Sequence, residues 1–212
     1  MRLWAARLDR PLTGEEAAAL TAALPARRRA RLVRSRPEDR REPLCAYGLL
    51  RLALRTELGW ENFPEMDWTE RGKPFFPAFP EVRFSLSHTA GAVLAGISAS
   101  PLGVDIQIRR PVRVSVMEKL AGTRDEAAFF RWWVRREAAA KWSGAGLSGV
   151  LRRPELPADV RYWPLETFPG YFAGVCADPG ETPLLRRCPL EALVRQGRGK
   201  LLSRGPALCV QI

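Results

Sequence analysis

The 212 residues, 46% of them hydrophobic, can bury one sizeable core or two small ones. No apolar run approaches the ~18 residues of a membrane span and none follows a basic start, so a soluble, cytoplasmic protein without a membrane anchor is expected. The net charge of +11 points to anionic partners, while a single histidine and four cysteines without CxxC spacing argue against a zinc site and for reduced thiols.

Residues 3–8 read as a short strand. Thr13 and Glu16 have capping-box spacing and open an alanine-rich helix that runs to about Ala23. Pro25 suits the first position of the next helix, which carries Arg27, Arg28, Arg29, Arg31 and Arg34. Arg36, Arg40 and Arg41 extend the basic run, which is either a solvated face or a contact for phosphate or carboxylate. Leu44, Tyr47, Leu50 and Leu54, followed by Gly59, mark an amphipathic helix over 43–58 with Pro43 in its first turn. Residues 61–70 are irregular, and Arg71-Gly72-Lys73-Pro74-Phe75 is a turn with a lone lysine. Runs at 82–87, 92–98 and 102–108 predict an antiparallel meander. A short helix near 114–120 precedes a longer one over 124–143, with Thr123 and Glu126 as its capping box and Gly144 and Gly146 as its stop. Strands at 160–163 and 171–177 follow, and 196–200 reads as a loop. The fold class is α+β, with two similar α/β halves (residues 1–100 and 101–212), each a small antiparallel sheet with packed helices.

Within the long helix, Phe130, Trp133, Glu137 and Lys141 fall on one stripe, aromatic above and charged below. The plain alternative for Glu137 and Lys141 is an i,i+4 surface pair worth ~0.2–0.5 kcal/mol. In Gly103-Val104-Asp105-Ile106-Gln107, strand alternation gives Asp105 and Gln107 one face and Val104 and Ile106 the core face. Asp105 is then either an acid at the solvent side of an edge strand or an oxygen ligand for a hard cation. Magnesium needs only one or two carboxylates, so Asp105 and Glu137 suffice. Phe84-Ser85-Leu86-Ser87-His88-Thr89 turns Ser85 and Ser87 to one face and carries the only histidine, which is structural or a phosphate contact. Gly72-Lys73-Pro74 says little by itself. The GxGxxG spacing of Gly144-Ala145-Gly146-Leu147-Ser148-Gly149 follows a helix instead of joining a strand to one, so it lacks the dinucleotide-binding context. The basic run has no interleaved aromatics and no recognised nucleic-acid motif, so no specific nucleic-acid binding is expected.

Four of these clusters, in this order, resemble the signature of 4′-phosphopantetheinyl transferases: Gly72-Lys73-Pro74, Phe84-Ser85-Leu86-Ser87-His88-Thr89, Gly103-Val104-Asp105, and Trp133-Val134-Arg135-Arg136-Glu137-Ala138-Ala139-Ala140-Lys141. The length is similar to that of the monomeric, surfactin-synthetase-activating type, a pseudo-dimer with its active site at the interface between halves; the resemblance covers about residues 1–178. It implies magnesium-dependent transfer of the 4′-phosphopantetheine group from coenzyme A to a serine of an acidic apo carrier protein, of fatty-acid, polyketide or nonribosomal peptide synthesis, with release of adenosine 3′,5′-bisphosphate. Residue by residue, it implies Asp105 and Glu137 as magnesium ligands with Gln107 beside them. Lys141 falls on the α-phosphate side, and Lys73, Pro74, Ser87 and His88 fall on the adenosine 3′-phosphate and neighbouring groups. Two positions depart from the family pattern. Gln107 stands where many relatives carry Glu, which removes a negative charge. Glu42 stands where an arginine usually contacts the nucleotide, so either Arg40 or Arg41 replaces it or the contact is lost. The departures keep a second reading open, a relative that binds coenzyme A or a carrier protein without efficient transfer. The group that removes the serine proton stays open among Glu137, a metal-bound water and bulk solvent.

Overall fold

The structure is a computed structural model that describes residues 1–146, 156 and 158–195 and the backbone of 210–211. Strand β1 (Arg2–Arg7) is followed by α1 (Gly14–Ala22), which opens with the expected capping box. The Thr13 hydroxyl accepts from the Glu16 N–H at 3.2 Å, and the Glu16 carboxylate accepts from the Thr13 N–H at 2.8 Å. Such a cap stabilises a helix by ~1 kcal/mol. Helix α2 (Ala26–Val33) starts one residue later than expected, because Pro25 holds the extended cap conformation instead of the first helical position. After a 3-10 turn at Pro37–Asp39, α3 (Arg41–Leu58) ends on Gly59, whose φ of 73° is the left-handed stop that a glycine adopts without strain.

A two-stranded ribbon, β2 (Asp67–Trp68) and β3 (Pro74–Phe75), precedes the hairpin of β4 (Arg83–Thr89) and β5 (Ala92–Ser98). Then come β6 (Leu102–Ile108), α4 (Val114–Ala121), α5 (Glu126–Ser143), β7 (Arg161–Leu165) and β8 (Tyr171–Ala177). Strand β9 (Leu184–Pro189), α6 (Leu190–Val194) and β10 (Val210–Gln211) close the chain. The first sheet has the order β10-β9-β1-β5-β4 and the second β6-β8-β7.

Two features correct the sequence reading. The meander stops after two strands. β6 does not pair with β5 but joins the second sheet, antiparallel to β8 with Asp105 opposite Gly174. Pro101, without an N–H, sits at the break. The change of sheet lets Val104 and Ile106 pack on Leu3, Ala5 and Leu94 in the apolar layer between the sheets. Second, residues 184–194 return to the first sheet, where β9 lies parallel to β1 with Leu3 opposite Leu185.

Trp4, Leu49, Leu50, Leu54, Leu190 and Leu193 fill the core between the other face of the first sheet and helices α1, α3 and α6. Each such side chain contributes roughly 1.5–3 kcal/mol through burial. Helix α5 covers the outer face of the second sheet, where Ala138 meets Cys176 and Val160. Its N-cap is Asp125, which accepts from the Ala128 N–H at 2.6 Å; Thr123 accepts from Asp125 instead, so the helix begins at Glu126, two residues later than the capping box implied. Cys45, Cys176 and Cys188 are buried and form no disulfide among the described residues. Among those residues no helix is long and apolar enough to cross a membrane. Leu147, Ser148 and Gly149 of the GxGxxG spacing, the loop expected at 196–200, and Cys209 lie outside the described residues.

Candidate active site

The site forms where the sheets meet edge to edge. Strands β4 and β6 lie side by side without backbone pairing, and three hydroxyls spaced two residues apart on β4 replace the missing ladder. Ser85 accepts from the Val104 N–H at 3.1 Å, Ser87 from Ile106 at 3.2 Å and Thr89 from Ile108 at 3.3 Å. Alternation along both strands supplies the match: a hydroxyl on every second residue of β4 meets the N–H of every second residue of β6. Asp105 is brought under Ser87 by this register.

Helix α5 is set on β6 by Gly103. A Cβ at that position would collide with the carbonyl oxygen of Ala138 and the amide nitrogen of Trp142. With only hydrogen there, the helix lies close enough for Lys141 Nζ to reach Asp105 Oδ1 at 2.7 Å and Ser87 Oγ at 2.9 Å. Ser87 Oγ donates to Asp105 Oδ1 at 2.7 Å, and Gln107 Nε2 donates to Oδ2 at 3.0 Å. The Asp105 side chain is only 2% exposed, so the acid is no solvent-edge residue; its charge is buried and paired. One helical turn from Lys141, Glu137 makes no hydrogen bond or ion pair among the described residues. Burial raises its pKa, Asp105 raises it further, and Lys141 opposes both. Two acids 32 positions apart in sequence thus sense each other across the site.

Two adjoining cavities share Leu86, His88, Glu137 and Lys141. The first, of about 350 Å³, is cationic: Arg28, Arg31, Arg71 and Lys73 line it together with Tyr47, Trp68 and Pro74. The second, of about 630 Å³, has a polar end at Ser87, Asp105, Gln107, Glu137 and Lys141 and an apolar wall that includes Val112, Phe129, Phe130 and Trp133. The helical stripe Phe130, Trp133, Glu137, Lys141 therefore lines one cavity throughout. His88 stands at the shared lip, accessible from solvent; surrounding protein lowers its pKa, and Lys141 and Arg28 lower it further.

The Asp105 and Glu137 carboxylates and the Gln107 amide line the same cavity, and their oxygens are of the kind that a hard divalent cation takes. Among the described residues no group of three or more His, Cys, Asp or Glu side chains gathers, so the site offers two carboxylates and not a larger cage.

No family model matches the chain. It is similar to the ffp 4′-phosphopantetheinyl transferase of Bacillus subtilis, 27% identical over 213 aligned positions that cover 86% of this chain and 95% of the relative. The Sfp 4′-phosphopantetheinyl transferase of Bacillus subtilis (strain 168) is 25% identical over 212 positions with the same coverage. The HetI 4′-phosphopantetheinyl transferase of Nostoc sp. (strain PCC 7120) is 29% identical over 131 positions, 53% of this chain and 55% of the relative. The chain is thus similar to 4′-phosphopantetheinyl transferases over most of its length. Because the two Bacillus proteins align over nearly their whole length, the likeness includes both sheets of the fold.

Against the pattern expected of a phosphopantetheinyl transferase, several residues stand elsewhere than anticipated. Arg40 donates to the carbonyls of Val33 and Ser35 and closes the end of α2, while Arg41 donates to the Leu8 carbonyl; neither lines a cavity described above. Glu42 accepts from the Gly91 N–H at 3.4 Å. The arginines in the cationic cavity are Arg28, Arg31 and Arg71; the i,i+3 spacing of the first two on α2 was the available signal. Lys73 does line that cavity, but its Nζ donates to the Leu102 and Trp142 carbonyls at 3.3 and 3.0 Å, tying the ribbon to β6 and to the end of α5. Burial and Arg83 lower its pKa to about 8. Ser87 lies against Asp105 in the second cavity, whereas Lys73 lines the first. Tyr47 and Trp68 were not anticipated at the site; Tyr47 reads in sequence as a plain core position of α3.

Proposed function

We propose that this chain transfers the 4′-phosphopantetheine group of coenzyme A to a serine hydroxyl of an apo acyl or peptidyl carrier protein. The observation that carries the reading is that Asp105 shares the half-apolar cavity with Glu137 and Lys141, which also line the cationic one. The names of the relatives support the same activity. In this reading Arg28, Arg31 and Lys73 hold the phosphates of the nucleotide, Tyr47 and Trp68 flank it, and the apolar wall of the second cavity takes the pantetheine arm. His88 at the lip gains a proton when a phosphate arrives.

The serine oxygen attacks the phosphorus that carries pantetheine. A new O–P bond forms, the bond to the bridging oxygen breaks, and adenosine 3′,5′-bisphosphate leaves with that electron pair. Such transfers need charge placement more than covalent help. Lys141 contributes an ammonium beside the leaving 5′-phosphate of the nucleotide. The serine proton passes to Glu137 or to solvent in this reading. A magnesium ion held by Asp105 and Glu137, with Gln107 beside it, would neutralise charge on the phosphoryl oxygens. The carrier protein is acidic and the enzyme a cytoplasmic monomer; the +11 charge favours that encounter and makes it salt-sensitive.

The test is mass spectrometry of apo carrier proteins of fatty-acid, polyketide and peptide synthesis incubated with coenzyme A and magnesium. Addition of a phosphopantetheine group is expected, with Asp105→Ala and Glu137→Ala each slowing it by about 10²–10³. If every carrier stays unmodified while coenzyme A still binds, the second reading, binding without efficient transfer, replaces this one. Gln107 is its motive, since its amide is turned toward Asp105 and brings no charge of its own.

A further inference from the structure

We propose that Tyr171 is a positioning residue for His88: from the second sheet it grips the β4–β5 turn and so sets where the imidazole stands between the two cavities. The turn is the two residues Ala90 and Gly91, since Thr89 pairs with Ala92. A turn at the surface can satisfy its backbone groups with water. Here three of them are taken by three separate segments. The Ala90 carbonyl accepts from Tyr171 Oη at 3.0 Å, the Gly91 N–H donates to Glu42 Oε1 at 3.4 Å, and the Gly91 carbonyl accepts from the Leu8 N–H at 2.8 Å. Leu8 and Glu42 flank the first sheet, to which the turn itself belongs. Tyr171 opens β8, opposite Ile108 in the second sheet, so it alone of the three ties the turn across the seam.

The seam explains why that tie matters. β4 has no backbone ladder toward β6, and Ser85, Ser87 and Thr89 hold it there by accepting from the second sheet. Tyr171 adds a fourth hydroxyl bond in the reverse sense, with the second sheet donating. His88 is followed directly by the last two gripped residues, Thr89 and Ala90. The phenol is itself held: its ring meets Phe168 edge-on at 6.1 Å, and the Tyr171 N–H donates to the Phe168 carbonyl at 3.1 Å. Gly91 makes room for it. Its φ of 74° suits glycine, and a Cβ there would stand 2.8 Å from the phenol oxygen. His88 lines both cavities, whereas Arg28 and Lys141 come from α2 and α5. Release of the turn therefore moves the imidazole relative to those cations.

The inference rests on the reading of the cationic cavity as the nucleotide site, and the experiment separates the two. Tyr171→Phe removes one oxygen and keeps the ring. Affinity for adenosine 3′,5′-bisphosphate, measured by calorimetry, is expected to fall about 5-fold, the scale of one neutral hydrogen bond. In the carrier-modification assay KM for coenzyme A should rise by a similar factor with kcat within about twofold, because Asp105, Glu137 and Lys141 sit on β6 and α5. In a His88→Gln background the same substitution should change bisphosphate affinity by less than about twofold, because the two residues act as one unit. An equal loss in both backgrounds overturns the proposal, as does an unchanged affinity in the wild-type background. If Tyr171→Phe does not fold, Gly91→Ala, whose methyl dislodges the phenol, takes its place with the same expected outcomes. If the wild-type protein binds no bisphosphate, the reading of the cationic cavity is what fails. The positioning role is then judged by NMR titration of His88: a pKa that rises toward the ordinary 6.5 in the variant sustains it, and an unmoved one overturns it.

Discussion

Lys141 Nζ lies 2.7 Å from Asp105 Oδ1, and the two side chains differ sharply in exposure, 29% for the lysine and 2% for the aspartate. The ion pair joins α5 to β6, and the asymmetry decides what happens when either partner is removed. Breaking a buried pair costs about 3–5 kcal/mol because a charge is left uncompensated. Lys141→Met strands the more deeply buried charge and should cost the full amount. Asp105→Asn strands an ammonium that can turn to water, so the loss is expected at about half that. Urea unfolding of the two variants checks the order; equal losses, or the reverse, would refute this account.

Gly103→Ala should do more damage than its size suggests. The added methyl meets backbone atoms of Ala138 and Trp142, which cannot move without shifting the whole helix. A loss of about 3 kcal/mol is expected, accompanied by loss of transferase activity as Glu137 and Lys141 move off Asp105. Thermal melting and the carrier-modification assay read the two effects. A stable, fully active Ala variant would show that the helix does not sit where this structure has it.

His88 is the chain's only histidine, so its imidazole can be followed without assignment. The surrounding protein, Lys141 and Arg28 hold its folded pKa below the ordinary 6.5. With a lowered folded pKa, the unfolded chain binds more protons as pH falls below 6.5, so the associated stability is complete above 6.5 and is lost on the way down to the folded value. His88→Gln should flatten that part of the stability profile. Adenosine 3′,5′-bisphosphate should raise the pKa in an NMR titration; an unmoved resonance would place the anion away from the lip.

The arginines divide by partner. Arg28→Ala and Arg31→Ala should each weaken coenzyme A binding by ~10-fold, the scale of one charge-assisted contact of ~1.5 kcal/mol. Arg40→Ala should leave coenzyme A affinity unchanged but lower stability, because the side chain closes the end of α2 through the Val33 and Ser35 carbonyls. Calorimetry with all three variants distinguishes cavity arginines from capping ones. If Arg40→Ala alone abolishes binding, the assignment of the cationic cavity is wrong.

Much of the local structure follows from residue order. Capping at Thr13, the left-handed stops at Gly59 and Gly144, and the aromatic-to-charged stripe from Phe130 to Lys141 each involve groups within about a helical turn of one another, so spacing suffices to read them. Residues of all four motif clusters likewise line the two cavities. What tertiary structure alone decided was partnership. β6 left the meander for β8, β9 returned to lie along β1, and Arg40 turned to a helix end while Arg28 turned to a cavity. Those choices depend on which distant surfaces become buried together, and a strand's alternation states that it has two faces without saying what covers them. The meeting of Asp105 with Lys141 is of the same kind: each is legible as a charge in its own segment, and only the contact permitted by Gly103 makes them one site.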